Sequence, residues 1–163
     1  MPPPASHRLD LLLLAPTSET PGSWAEGVID TWREAGFLLG EGPGPRELVA
    51  GGFLRVWAEV HDHERFHANR QGGFRVRCPR DAGNVVPAFN PAMSAWRAGR
   101  GPRSLRCPTC GEVHDLAALD YQPPAGFARG LVVIAEAEAN APSEAAMAAI
   151  LTLGAARLLW RRG

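Results

Sequence analysis

Apolar positions fall in short blocks along this chain, and their spacing changes from block to block. Arg8 to Ala15 is a leucine run closed by Pro16, which reads as a buried strand. Trp24, Val28, Trp32 and Ala35 then recur at i, i+4, i+8 and i+11, marking one face of a helix. Ser18 to Ser23 offers capping side chains ahead of that helix, and Gly36 ends it. Glu41-Gly42-Pro43-Gly44-Pro45 is a loop. Phe53 to Val60 is rich in aromatic and branched residues and predicts a strand; its poor alternation leaves a helix open.

Gly72-Gly73 interrupts the chain, and Phe74 to Arg77 leads as a short strand into Cys78. Pro91 to Ala98 predicts a helix, broken by Gly99 to Gly101, after which Ser104 to Arg106 leads into Cys107. Beyond Pro123-Pro124, Gly130 to Ala137 is a strand, Ser143 caps a helix over Glu144 to Leu151, Gly154 stops it, and Ala155 to Trp160 closes the chain as a strand. Without residues 73–120 the order is β-α-β, β-α-β, the order of the ferredoxin-like fold. The expectation is therefore an α+β core over 8–72 and 121–163, with helices on one face of an antiparallel sheet. Residues 73–120 form an insertion, and the Pro-rich residues 1–7 are frayed.

Length and composition fit this picture. The 163 residues suit one domain with an insertion, and 45% hydrophobic content is enough for a core. Leu11 to Ala15 is too short to cross a membrane, and Arg8 and Asp10 flank it too closely for a signal peptide. The expected location is cytoplasmic, with no membrane contact. The three cysteines, an odd number that includes a Cys-x-x-Cys pair, suit a metal better than a disulfide framework.

Every one of the seventeen basic residues is arginine, as a GC-rich genome would produce. A Walker A lysine is thus absent, which excludes an ordinary P-loop nucleotide site. The zero net charge is unevenly spread. Residues 1–64 carry ten acids and four arginines, residues 65–110 carry nine arginines and only Asp81, and residues 111–163 carry six acids and four arginines. The basic block and the cysteines coincide.

Cys78-Pro79-Arg80-Asp81-Ala82-Gly83 can be laid beside Cys107-Pro108-Thr109-Cys110-Gly111. Each begins Cys-Pro after a short apolar-basic strand, and Asp81 stands where a second cysteine would stand. In such a turn the thiolates at i and i+3 point to one side, and backbone amides can hydrogen-bond the sulfurs. The fourth ligand expected is Asp81, by alignment of the turns; the rival is His114, because imidazole is the commoner partner of three thiolates. Residues 74–114 resemble the zinc-ribbon family, whose knuckles read Cys-Pro-x-Cys-Gly; the first knuckle departs from that pattern at Asp81. The resemblance implies structural Zn2+ held by Cys78, Cys107, Cys110 and Asp81 or His114. Such a closed site offers no position to a substrate, so catalysis by this zinc is not expected. The rival readings are an inert buried thiol at Cys78 and an incidental or redox-active Cys107/Cys110 pair.

His63-Glu64-Arg65-Phe66-His67 matches H-E-x-x-H, which on a helix would bind a catalytic zinc. Its surroundings are polar rather than the apolar setting of a zincin helix, so a metallohydrolase is a remote alternative. Arg70, Arg75, Arg77, Arg80, Arg97, Arg100, Arg103 and Arg106 invite a phosphate-binding reading, with Trp96 and Phe89 as stacking surfaces. The nucleic-acid alternative rests chiefly on Arg75, Arg77, Arg97, Arg100 and Arg103. The same arginines can instead pair with acids of this chain. The leading expectation is a non-enzymatic zinc protein that contacts a protein partner or serves as a scaffold.

Overall fold

A computed structural model describes residues 8–16, 20–69 and 74–162. In chain order its elements begin with β1 (Leu9–Leu14), α1 (Pro21–Glu34), β2 (Leu38–Leu39), β3 (Gly42–Pro43) and β4 (Arg55–Ala68). Next come β5 (Arg75–Arg77), α2 (Val86–Arg97), β6 (Ser104–Arg106), β7 (Val113–Asp115) and β8 (Asp120–Gln122). β9 (Ala125–Ala137), α3 (Glu144–Ile150) and β10 (Arg157–Arg162) complete the chain. Two compact units result, one of residues 1–69 with 126–163 and one of residues 70–125. Among the described residues no helix is long and apolar enough to cross a membrane.

The first unit is built on a four-stranded sheet of order β10-β1-β9-β4. β1 is paired on both edges, antiparallel to β10 (Leu12↔Leu159) and antiparallel to β9 (Leu12↔Val133). Both faces of this internal strand are buried as well, which is why its leucines are unbroken. Leu11 and Leu13 join Val132, Ile134 and Val56 on the face that receives Trp24, Val28 and Trp32 of α1 and Ala146 and Ile150 of α3. Leu12, Leu14, Leu131, Val133 and Leu159 form a second buried cluster on the opposite face. The indole of Trp32 donates to Ala146 O at 2.9 Å, tying α1 to α3. Ser143 caps α3 as its sequence predicts, accepting from Ala146 N–H at 3.2 Å.

The sequence reading places several boundaries differently. α1 starts at Pro21 rather than Trp24, with proline in the first turn, where its missing N–H costs nothing. Ser18 lies outside the described residues, as do residues 1–7, Arg70 and Gly72-Gly73. β4 continues past Val60 to Ala68, and the helix left open over 53–60 does not form. Its far end meets the start of β9: the Phe66 and Phe127 rings lie 5.0 Å apart, and His67 Nε2 is 3.3 Å from Ala128 O. β9 starts at Ala125 rather than Gly130, and β10 ends at Arg162 rather than Trp160.

In the second unit β5 pairs with β8 and β6 pairs with β7, both antiparallel. α2 begins at Val86, not at Pro91, and carries Pro91 inside it. Proline opens a helix more readily than it sits within one, which is why the sequence points to a later start. Packing overrides that preference: Phe89 and Met93, four apart, are the buried face of α2. Phe89 meets Phe74 and Tyr121, with ring centroids 5.8–5.9 Å apart. This segment thus has a small core of its own.

Gly130 lies where β9 passes the start of α1. A Cβ there would fall 2.4 Å from Pro21 Cβ and 2.7 Å from Pro21 O, and the backbone oxygen cannot yield cheaply. Gly130→Ala is expected to destabilise the protein by roughly 2–3 kcal/mol, an overpacking cost. Gly42→Ala, whose Cβ would meet nothing closer than Leu39 O at 3.8 Å, should be tolerated. Denaturant unfolding monitored by tryptophan fluorescence compares the two.

Candidate metal centre

β5 and β6 each deliver a Cys-Pro turn, and the two turns are closed by the same pair of backbone bonds. In the first, Cys78 N–H donates to Gly83 O at 2.9 Å and Ala82 N–H donates to Cys78 O at 3.0 Å. In the second, Cys107 N–H donates to Glu112 O at 2.9 Å and Gly111 N–H donates to Cys107 O at 3.0 Å. Both turns pass through the left-handed region at the same step, Ala82 at φ 59° and Gly111 at φ 75°. Asp81 therefore occupies in one turn the place of Cys110 in the other. Amide hydrogens also point at sulfur: Arg80 N–H to Cys78 Sγ at 3.4 Å, and Cys110 N–H to Cys107 Sγ at 3.5 Å.

The turns bring Cys78, Asp81, Cys107 and Cys110 together, with one donor atom of each lying within 4.8 Å of the others. His114 arrives from β7, paired with β6 so that Leu105 lies opposite it. Its Nε2 is 3.4 Å from Cys78 Sγ and 3.5 Å from Cys110 Sγ, and these sulfurs are 3.7 Å apart. Cys78 and Cys107 are buried, Cys110 is half-buried, and none is in a disulfide.

Asp81 is engaged elsewhere as well. Its Oδ1 accepts from Gly83 N–H at 2.8 Å, its Oδ2 accepts from the Thr109 hydroxyl, and that oxygen stands 4.0 Å from Cys107 Sγ. Thr109 Oγ1 lies 3.2 Å from Cys107 Sγ, so it links the carboxylate to the thiol. Sequence reading passed over Thr109, the variable position of the knuckle. It also passed over Glu112, which forms a second candidate ligand group with Cys110 and His114 and pairs with Arg80.

The surroundings divide the three thiols. The Cys110 N–H and then the Thr109 hydroxyl stabilise the Cys107 thiolate and bring its pKa down to about 7. Burial pushes the Cys78 and Cys110 thiols up. The Asp81 carboxyl is held below its usual range by the Thr109 hydroxyl and the Gly83 N–H.

The arginines do not act as one group. Arg103 makes a two-point contact with Asp115, at 3.1 Å to each oxygen. Arg106 donates to Gly111 O at 2.6 Å, and Arg80 is held by Glu112. Arg97 lies in the last turn of α2 and Arg100 just beyond it, while Arg75 and Arg77 share one face of β5. The H-E-x-x-H stretch lies in β4, not on a helix, so His63 and His67 lack the one-turn spacing that the protease reading requires. The candidate ligand groups among the described residues contain neither histidine.

Ala82 holds a left-handed backbone that favours glycine, the residue found at the equivalent Gly111. Ala82→Gly should stabilise the second unit by about 0.5–1 kcal/mol, relieved strain outweighing the added chain entropy. Hydrogen exchange of the Cys78 amide is the readout, since that N–H closes the turn.

Comparison with protein-family models, curated proteins and solved structures returns no match, so the chemistry of the cluster itself must carry the functional argument.

Proposed function

We propose that this chain is a non-enzymatic, cytoplasmic zinc-binding protein in which a ferredoxin-like core carries a zinc-ribbon-like segment that serves as a protein-interaction or scaffold module. The sheet order β10-β1-β9-β4 supports the core assignment, because it is the fourth-first-third-second order expected of two interlocked β-α-β halves. The paired Cys-Pro turns support the ribbon assignment.

The observation that carries the zinc reading is the triangle of Cys78 Sγ, Cys110 Sγ and His114 Nε2. With Zn–S of about 2.3 Å and Zn–N of about 2.0–2.1 Å, a tetrahedral ion separates two sulfurs by about 3.8 Å and a sulfur from a nitrogen by about 3.6 Å. The distances here are 3.7, 3.4 and 3.5 Å. In this reading Cys78, Cys107, Cys110 and His114 are the ligands. Asp81, with both oxygens already hydrogen-bonded, acts through Thr109 to hold the Cys107 knuckle. Four protein ligands close the coordination sphere and leave zinc a structural part. The second unit is small, and zinc would add to its core a folding contribution on the order of 10 kcal/mol at neutral pH.

Protein purified without chelator should carry about one zinc per chain, and Cys107→Ser should release it. In the cobalt-substituted protein, His114→Ala should alter the visible spectrum and weaken the metal about a thousandfold. Asp81→Asn should keep the spectrum and cost about tenfold, the lower end of the range for an outer hydrogen-bonding partner. The reverse pattern would exchange the two roles, and a metal-free protein would sink the zinc reading altogether.

The thiol environments fix a pH dependence. Cys78 and Cys110 are protonated at neutral pH because their pKa values are raised, so zinc must displace both protons. Cys107, at about 7, adds a third below that pH. Zinc affinity should therefore rise by roughly a hundredfold per unit between pH 7 and 8.5, with a steeper dependence below pH 7. Competition with a chromophoric chelator measures the slope, and a flat profile would contradict the thiolate assignment.

A further inference from the structure

We propose that the cleft between β5 and the start of α2 binds a small phosphorylated molecule with a planar or apolar body, its phosphate held between Arg75 and Arg77. The cleft measures about 300 Å³ and is lined, among the described residues, by Phe74, Arg75, Val76, Arg77, Asn84 and Val86. That volume is at the lower end of small-ligand sites, about the size of one nucleotide unit.

The wall chemistry selects the ligand. Arg75 and Arg77 are two residues apart on one strand, so their side chains leave the same face about 7 Å apart. Neither guanidinium meets a carboxylate among the described residues, unlike Arg80 and Arg103. Asn84 Oδ1 already accepts from Val86 N–H at 3.0 Å, which leaves its amide hydrogens for a ligand. The backbone between them is spent too, since Val85 N–H donates to Val76 O at 3.1 Å. The side-chain polar groups left to a guest are donors, and Phe74 and Val86 supply apolar surface. One guanidinium fork suffices for a carboxylate; two forks rising from one strand face suit the doubly charged, three-oxygen face of a phosphate monoester. The acid in register with this pair is Asp120, opposite Arg77 on β8, with no ion pair between them. It weakens the positive field at that end of the cleft.

The same inventory argues against a nucleic-acid strand. A strand needs a continuous cationic track. Arg80, Arg103 and Arg106 are instead bound within the chain. The inference does not depend on the identity of the metal.

The test uses the full chain as purified, with fluorescently labelled AMP as the probe in an anisotropy titration at low salt, competed by inorganic phosphate. Saturable 1:1 binding displaced by phosphate is expected. Arg75→Gln and Arg77→Gln should each weaken it at least tenfold, and Arg100→Gln should change it less than twofold. Asp120→Asn should tighten it about threefold, a gain that misfolding cannot produce. The proposal is overturned by absence of saturable binding at millimolar probe, or by an equal loss with Arg100→Gln. It is equally overturned if a single-stranded oligonucleotide binds more than tenfold tighter than the mononucleotide with a steep salt dependence.

Discussion

Two backbone turns, each closed by a bond back to its own first residue, are the constraint on which the second unit depends. A Cys-Pro turn fixes where its first sulfur lies relative to the strand before it. Backbone bonds hold each turn in shape, and the two turns bring their first sulfurs into one cluster. β7 is then obliged to start where the second turn ends, and it presents His114 next to two of the sulfurs. If either turn opened, the candidate ligand cluster and the amide contacts to sulfur in that turn would be lost together.

The sequence made the turns visible because their chemistry is local. Cys-Pro at 78 and 107 and the offset of Asp81 against Cys110 can be read in six residues, and the folded turns match that offset hydrogen bond for hydrogen bond. How near His114 comes to the sulfurs was not legible, because it depends on the hairpin register that pairs His114 with Leu105. β7 and β8, at three residues each, are too short to impose any periodicity. α2 escaped for a different reason: its first turn is held by Phe89 against aromatic rings distant in sequence, which outweighs the signal from Pro91. The charge block was likewise legible in total but not in its parts. Only the fold separates arginines tied to Glu112, Asp115 and Gly111 from those lining a cleft.

The first unit follows a different logic. Its elements were legible because leucine and valine blocks buried on two faces need no partner chemistry to announce themselves. What sequence could not supply there was the depth of β4. Its histidines and acids look like a solvated segment, yet they extend a strand whose Val56 and Ala58 face the core. Hydrophobic patterning identifies the strand, and the antiparallel partner determines how far it continues.

The stems of β4 and β9 meet at Phe66 and Phe127, so the chain leaves the sheet and re-enters it at neighbouring points. From the standpoint of the sheet, everything between Ala68 and Ala125 is a hairpin loop. The entropy of closing a loop grows only with the logarithm of its length, by about 0.6 kcal/mol per doubling. A tight turn and a folded unit of dozens of residues are thus nearly equivalent to the strands they join, all the more so when the unit is ordered and holds its own ends together. Such a junction is a permissive point for evolution, where material can be gained, traded or shed with little cost to the scaffold. The ancestry of the cysteine-bearing segment need not be the ancestry of the sheet that carries it.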